Sequence, residues 1–113
     1  MIIVVHRIFE KEEGVYTGNV KMVDPETGEI LVEKEFEFEK CNKIYACYKT
    51  FQQMLRLIGV SGYTGILLDT NVQNFGEELI GEQPNVNQTL RSYTARNMQE
   101  YGIESIDLIN KEE

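Results

Sequence analysis

Asp69 stands where a carboxylate could do chemistry, because it directly follows the apolar run Ile66-Leu67-Leu68 and precedes a polar turn. A carboxylate between a strand and a helix can cap the helix, where free backbone N–H groups and the helix dipole favour negative charge. It can also contact a metal ion or a partner. We favour the capping interpretation, with Thr70 or Asn71 as alternative caps, because short polar residues commonly cap at such turns.

The other candidate ligands and nucleophiles are isolated from one another. His6 is the single histidine, and no second type of ligand stands beside it, so we interpret it as a hydrogen-bonded histidine of a sheet. Cys41 and Cys47 lie six residues apart on a predicted helical stretch, too far apart for a disulfide. A zinc site would need further cysteines and a nearby histidine. The sequence therefore predicts no metal and no cofactor.

Motifs of common catalytic sites are absent from the sequence. There is no serine nucleophile elbow and no dinucleotide fingerprint. Residues 62–65, Gly-Tyr-Thr-Gly, lack the lysine that a phosphate loop requires. Ser61, Ser92 and Ser105 have no spacing to His6 that indicates a catalytic triad. We expect no catalytic residue, and we favour a protein that is not an enzyme.

Hydrophobic periodicity predicts the elements that position these residues. Apolar residues at three- and four-residue steps predict a helix over 42–58, capped by Asn42 and ended by Gly59. Strict alternation over 30–39 predicts a strand with a row of glutamates on its solvent face. The other predicted elements are strands over 2–9, 15–23, 66–68 and 103–109, and helices over 71–80 and 86–101.

The order of these elements, β-β-β-α-β-α-α-β, predicts an α/β fold with a mixed sheet in two or three layers. Short connections make the first three strands an antiparallel meander. Right-handed crossovers then place the fourth strand parallel to the first, with the fifth strand beyond it.

Length and charge restrict the classes of function. A chain of 113 residues fits one domain, 1–113. The net charge is −8, no Lys/Arg cluster appears, and the densest charge run, 33–40, is mainly acidic, so we expect nucleic acid to be an unlikely partner. The start of the chain does not resemble a signal peptide. No apolar run approaches the roughly 20 residues of a membrane helix, so we expect a cytoplasmic protein without a membrane contact.

The element order and the segment 66–72, Ile-Leu-Leu-Asp-Thr-Asn-Val, resemble the ribonuclease H-like family. In that family an apolar fourth strand ends in an aspartate, a small polar residue follows, and a helix begins. The helix after the long third strand is also where the family has its first helix. The resemblance covers most of the chain and implies a single ribonuclease H-like domain.

The resemblance also implies a set of carboxylates. Family enzymes hold two magnesium ions with acids on the first strand, the first helix and the end of the fourth strand. In this chain the first strand has His6 or Arg7 near that position, and the first helix has Ile44 and Tyr45. Asp69 is the single match, which predicts a member that lacks catalysis.

Three hypotheses of function follow. The first is a non-catalytic protein-binding module, a small acidic inhibitor or adaptor of the kind that a phage or mobile element encodes, binding through Tyr16, Tyr45, Tyr48 and Tyr63. The second is a divergent metal-dependent nuclease, with Asp69, Glu10 and Asp107 converging on the metal. The third is a homo-oligomer in which the strand over 29–40 pairs across a symmetry axis.

Overall fold

The computed structural model describes residues 1–81 and 88–109. In this part of the chain five strands form one sheet, in the order β3-β2-β1-β4-β5. The elements are β1 (Ile2–Glu12), β2 (Val15–Val23), β3 (Ile30–Glu39), α1 (Lys43–Val60), β4 (Gly65–Thr70), α2 (Gln73–Ile80), α3 (Gln88–Glu100) and β5 (Ser105–Leu108).

The predicted topology is confirmed. β1, β2 and β3 form an antiparallel meander, and β1–β4 and β4–β5 are parallel pairs. β1 is three residues longer than predicted, because it keeps pairing with β2 past an irregularity between Glu10 and Glu12. Val86, which we predicted at the start of the third helix, lies outside the described residues.

The hydrophobic core lies between one face of the sheet and the helices. On β1 the even-numbered residues from Ile2 to Ile8 are buried, and the odd-numbered ones are only partly so up to Arg7. The matching core positions on the neighbouring strands are Val20, Met22, Ile66 and Leu68. We call this side of the sheet the inner face.

All three described helices lie on the inner face. α1 contacts β1 and β2, and α2 contacts β4 and β5. α3 packs beside α1, and its Leu90 and Met98 contact the core. Of the two alternatives we left open, the described residues therefore form a two-layer arrangement, and none of these helices is long and apolar enough to cross a membrane.

α1 forms where the periodicity predicted it. The Asn42 side chain accepts a hydrogen bond from the Tyr45 N–H at 2.9 Å and caps the first turn. Met54, Leu55 and Ile58 are among the residues that α1 buries. A glycine in β2 lets this helix approach the sheet closely, since a Cβ on Gly18 would lie 2.0 Å from the Thr50 hydroxyl oxygen.

Candidate functional site

The inner face carries a buried cluster of polar and aromatic side chains where β1 and β4 meet α1. The register opposes His6 to Thr70, so both side chains point toward α1. His6 Nδ1 lies 2.8 Å from Thr70 Oγ1, and His6 Nε2 lies 3.0 Å from the Cys47 carbonyl oxygen. Phe75 of α2 stacks on the imidazole, with ring centroids 4.9 Å apart. These four residues are called the His6 cluster below.

The hydrogen bonds of the cluster define the protonation state of His6. A carbonyl oxygen can only accept, so Nε2 carries the proton and donates to Cys47. Nδ1 then accepts from the Thr70 hydroxyl, whose oxygen accepts in turn from the Val72 N–H at 3.1 Å. Burial lowers the pKa of His6 from 6.5 to about 4; the Cys47 bond opposes this shift and Arg7 adds to it. His6 is therefore a neutral side chain with both nitrogens satisfied, as the sequence interpretation expected.

The α1 member of this cluster is Cys47, whereas the resemblance placed Ile44 and Tyr45 near the position of the family's acid. Ile44 is partly buried and Tyr45 is 39% exposed; they lie three and two residues before Cys47, whose carbonyl His6 contacts. Burial raises the pKa of the Cys47 thiol to about 12. The thiol is protonated at neutral pH, so it is a poor nucleophile and a poor metal ligand. Cys41 precedes α1, and both cysteines are free.

A buried carboxylate that the sequence analysis missed lies on α2. Glu78 is 4% exposed, and its carboxylate accepts a hydrogen bond from the Tyr48 hydroxyl at 2.8 Å. Burial is the largest cause that raises the pKa of Tyr48 above its ordinary value, and the hydrogen bond to Glu78 is the second. The signal in the sequence was the three-residue step from Phe75, which already faced inward in the predicted helix.

Asp69 lies on the opposite side of the sheet. It pairs with Val5, so its side chain points away from α1, and its Oδ1 lies 3.2 Å from Arg7 Nη2. The capping interpretation is therefore wrong: the N-cap of α2 is Val72, which makes no side-chain cap bond. Asn71 does not cap either, because its amide bonds the backbone N–H and carbonyl of Ile8 at 2.9 and 3.0 Å.

The residues at the meeting point of β1, β4 and α1 do not fit a pair of magnesium ions. Such ions need several oxygen ligands, and this position holds an imidazole with both nitrogens bonded, a hydroxyl, and a backbone carbonyl that already accepts from the imidazole. Over residues 1–81 and 88–109, no three His, Cys, Asp or Glu side chains are grouped so that they could hold a metal.

The three acids of the nuclease hypothesis are not brought together. Glu10 lies five residues along β1 from Val5, the partner of Asp69, which separates them by about 16 Å. Asp107 of β5 pairs with Leu67, and Leu67 stands two residues before Asp69 on β4. The two aspartates therefore lie on neighbouring strands and are not opposite each other.

A second candidate site lies on the outer surface of the helices. Lys49 places its Nζ 5.6 Å from the ring centroids of both Tyr45 and Tyr93, bridging α1 and α3. Arg56 continues the helical stripe of Tyr45 and Lys49 on α1, and Arg96 lies one turn after Tyr93 on α3. We call these five residues the α1–α3 surface. A Gln52–Thr94 hydrogen bond of 2.9 Å joins the two helices beside it.

α1 and α3 are rich in cations and nearly free of acids. α1 and α3 together carry five of the chain's eleven Lys and Arg residues and one of its nineteen acids, Glu100. On the opposite side, Glu33, Glu35, Glu37 and Glu39 alternate along β3 as predicted and are exposed. The acidic average of the chain therefore conceals a basic surface on the helices.

The four tyrosines predicted to bind a partner do not form one surface. Tyr48 is fully buried. Tyr16 lies near the end of β3 opposite Phe38, and Tyr63 follows α1; both are partly buried against the core. Tyr45 is exposed and belongs to the α1–α3 surface, where Tyr93, 48% exposed, is the aromatic partner that the sequence analysis did not name.

No protein-family model and no curated protein matches this sequence, whereas solved structures do. A structure of LC11-RNase H1 in complex with an RNA/DNA hybrid matches with a TM-score of 0.76 and 16% identity, over 98% of this chain and 86% of that one. RNase H1 from the halophilic archaeon Halobacterium salinarum NRC-1 matches with a TM-score of 0.73 and 15% identity, over 96% of this chain and 83% of that one. The foamy viral protease-reverse transcriptase in complex with dsDNA matches with a TM-score of 0.62 and 8% identity, over 99% of this chain and 83% of that one.

The chain has a ribonuclease H-like fold, and the predicted fold is confirmed. The expectation that nucleic acid is an unlikely partner is wrong, because neighbours with this fold were solved bound to an RNA/DNA hybrid and to dsDNA. Whole-chain charge was a poor guide, since it averages the acidic strand β3 with the cations of α1 and α3.

Proposed function

We propose that this domain binds the phosphate backbone of nucleic acid through the α1–α3 surface, and that it does so without two-metal cleavage. The observation that carries the proposal is the grouping of Lys49, Arg56 and Arg96 with two exposed tyrosines. The similarity to folds solved with an RNA/DNA hybrid and with dsDNA supports the same class of partner.

The chemistry of the surface suits a phosphate backbone. Lysine and arginine neutralise phosphates and release condensed counterions, which supplies the affinity of sequence-independent binding. Exposed tyrosine rings offer faces on which unpaired bases stack. Thr89, Ser92, Tyr93 and Arg96 line a shallow depression on α3, which adds hydroxyl donors beside the cation. Because α1 has no acid in it, little on this surface repels a polyanion.

The His6 cluster supports binding without cleavage. His6 is neutral and fully hydrogen-bonded, and Phe75 packs against its ring. To receive two divalent ions, this position would have to break both imidazole hydrogen bonds and admit water to a buried site. The cluster instead gives the domain a rigid core beneath α1, which positions Tyr45 and Lys49 on the surface.

Fluorescence anisotropy with a labelled RNA/DNA hybrid tests the proposal. With three cations at the contact, we expect log K to fall with log salt with a slope of about −2 to −3. Replacing Lys49 and Arg96 together by glutamine should weaken binding about tenfold at 50 mM salt and reduce the slope by about 2.

A matched control removes the same number of charges elsewhere. Lys11 and Lys21 lie on the strands, away from α1 and α3, so replacing both by glutamine should leave the salt slope unchanged. Equal losses in the two double variants would mean that only the net charge matters, and the α1–α3 surface would no longer be supported. Parallel titrations with duplex DNA and single-stranded DNA identify the preferred form.

A divalent-metal nuclease is the second candidate, favoured by the similarity to structures of RNase H1. Its test is cleavage of the same hybrid in millimolar magnesium or manganese, compared between the wild type and Asp69→Asn. Cleavage that Asp69→Asn abolishes would establish the nuclease. Intact substrate, together with a melting temperature that manganese leaves unchanged, would favour binding alone, because a bound ligand must stabilise the native state.

A further inference from the structure

One edge of the sheet lacks a neighbouring strand in the described part of the chain. β3 is the first strand in the sheet order, and β2 is the strand that pairs with it. β3 is ten residues long. In an antiparallel pair, alternate residues direct their backbone N–H and C=O groups away from the partner strand, so about five residues of β3 offer these groups on the free side. Such an edge is a template for one more strand.

The second half of β3 carries different side chains on its two faces. Residues 35–39, called the edge segment below, read Glu-Phe-Glu-Phe-Glu, so the alternation is uninterrupted. The three glutamates are exposed on the face of the sheet opposite the inner face. Phe36 and Phe38 lie on the inner face, where they are only partly buried against the core, with ring centroids 6.3 Å apart. A strand added beside the edge segment would meet carboxylates on one face and an aromatic pair on the other.

The fold leaves much of the negative charge on the edge segment unbalanced. Lys11 of β1 donates to Glu37 at 2.9 Å, and the two side chains are 63% and 45% exposed, so solvent screens this pair. Glu35 and Glu39 form no ion pair in the part of the chain that the structure describes. Their carboxylates are therefore available to cations of a partner.

We propose that the edge segment binds an extended, basic stretch of a protein partner, which adds one strand to the sheet beside β3. The partner alternates cationic with apolar side chains. Its cations lie beside the three glutamates, and its apolar side chains cover Phe36 and Phe38. In strand addition of this kind, main-chain hydrogen bonds supply affinity and alternate side chains supply specificity. The site lies on a strand edge, apart from the α1–α3 surface, and does not depend on nucleic-acid binding.

Charge favours this partner over a second copy of the chain. Two copies that paired antiparallel through β3 would bring their glutamates onto the same face of neighbouring strands, and like charges directly opposite each other destabilise a sheet. A basic strand gains attraction at the same positions. The edge segment therefore discourages pairing with itself and accepts a strand of opposite charge.

Two peptides with the same composition and a different residue order test the proposal. One peptide of about nine residues alternates lysine with valine, and the second groups the lysines at one end. Isotope-labelled protein is titrated with each peptide and followed by amide NMR and hydrogen exchange. We expect the alternating peptide to bind at least tenfold more tightly and to slow amide exchange in the edge segment. Equal affinities, or exchange in this segment that bound peptide leaves unchanged, would overturn the proposal.

A modified peptide tests the main-chain hydrogen bonds separately from charge. N-methylation of two adjacent central residues removes donors from both edges of the alternating peptide and keeps every side chain. We expect this change to weaken binding at least tenfold. Undiminished binding would show that side-chain attraction alone holds the peptide, which would contradict strand addition.

Protein variants with a matched control locate the site. Glu35→Gln with Glu39→Gln should weaken the alternating peptide severalfold, because two exposed carboxylates of the edge segment are lost. Glu100→Gln with Glu104→Gln removes two exposed acids at the end of α3 and just before β5, so it should leave the affinity unchanged. Equal losses in the two double variants would mean that only net charge attracts the peptide, and the edge segment would be refuted as the site.

Discussion

At the scale of single residues, His6 carries the clearest energetic signature. Its folded pKa of about 4 lies below the ordinary 6.5, so folding favours the neutral ring. The resulting stability is fully present above pH 6.5 and is lost as the pH falls from 6.5 toward 4. The difference corresponds to about 3 kcal/mol. Urea unfolding at several pH values, compared between wild type and His6→Gln, measures it; parallel pH profiles for the two proteins would contradict the assignment.

Gly18 and Thr50 form a second residue-level pair. The Thr50 hydroxyl is buried, has no hydrogen-bond partner, and occupies the space that a Cβ on Gly18 would need. We expect Gly18→Ala to destabilise the fold by about 1–3 kcal/mol, and by much less in a Thr50→Ala background, where that space is free. Denaturant midpoints of the four proteins in this cycle give the coupling energy, and strictly additive losses would refute the contact.

Residue types predicted part of the site, but they did not predict which face of the sheet each side chain occupies. A lone histidine in an apolar strand correctly indicated a satisfied core histidine. Asp69 was misassigned because a strand alternates faces at every residue, so a motif match cannot say whether Asp69 or Thr70 faces α1. Glu78 was missed because its burial depends on Tyr48, thirty residues earlier in the chain.

At the scale of elements, the β4–α2 junction shows how a side chain can extend a sheet. Asn71 continues the β1–β4 ladder by bonding both backbone groups of Ile8. Asn71→Ala removes both bonds, so we expect a loss of about 1–3 kcal/mol, with faster amide hydrogen exchange at Ile8. An unchanged exchange rate at Ile8 would mean that the two bonds do not hold β1.

This junction also explains why the boundaries of some elements were predicted more accurately than those of others. β2 was predicted to the residue, Val15–Val23, since its pattern and turns are local. α2 begins at Gln73, later than predicted, because Thr70 and Asn71 bond to β1 instead of capping the helix. Cap residues are recognisable in a sequence, but a competing long-range partner is not.

At the scale of the whole molecule, the distribution of charge matters more than its sum. The net charge of −8 argued against nucleic acid, yet the cations of α1 and α3 converge only when two helices far apart in sequence pack together. The acids, by contrast, cluster along β3 and were visible in the sequence.

The homo-oligomer hypothesis is also a whole-molecule prediction and stays one. β3 is an edge strand of the sheet, as pairing across a symmetry axis requires. Its four regularly spaced glutamates oppose such pairing, so we expect a monomer by light scattering. A dimer that dissociates when β3 is altered would support the oligomer.

The central claim is that a ribonuclease H-like domain binds nucleic acid on its helices and leaves the strand intact. Amide NMR during titration with an RNA/DNA hybrid in magnesium, with the substrate analysed afterwards, tests it most directly. The account predicts chemical-shift changes at Tyr45, Lys49, Tyr93 and Arg96, no changes around His6, and full-length RNA at the end. Shifts centred on His6 and Thr70 together with shortened RNA would contradict it.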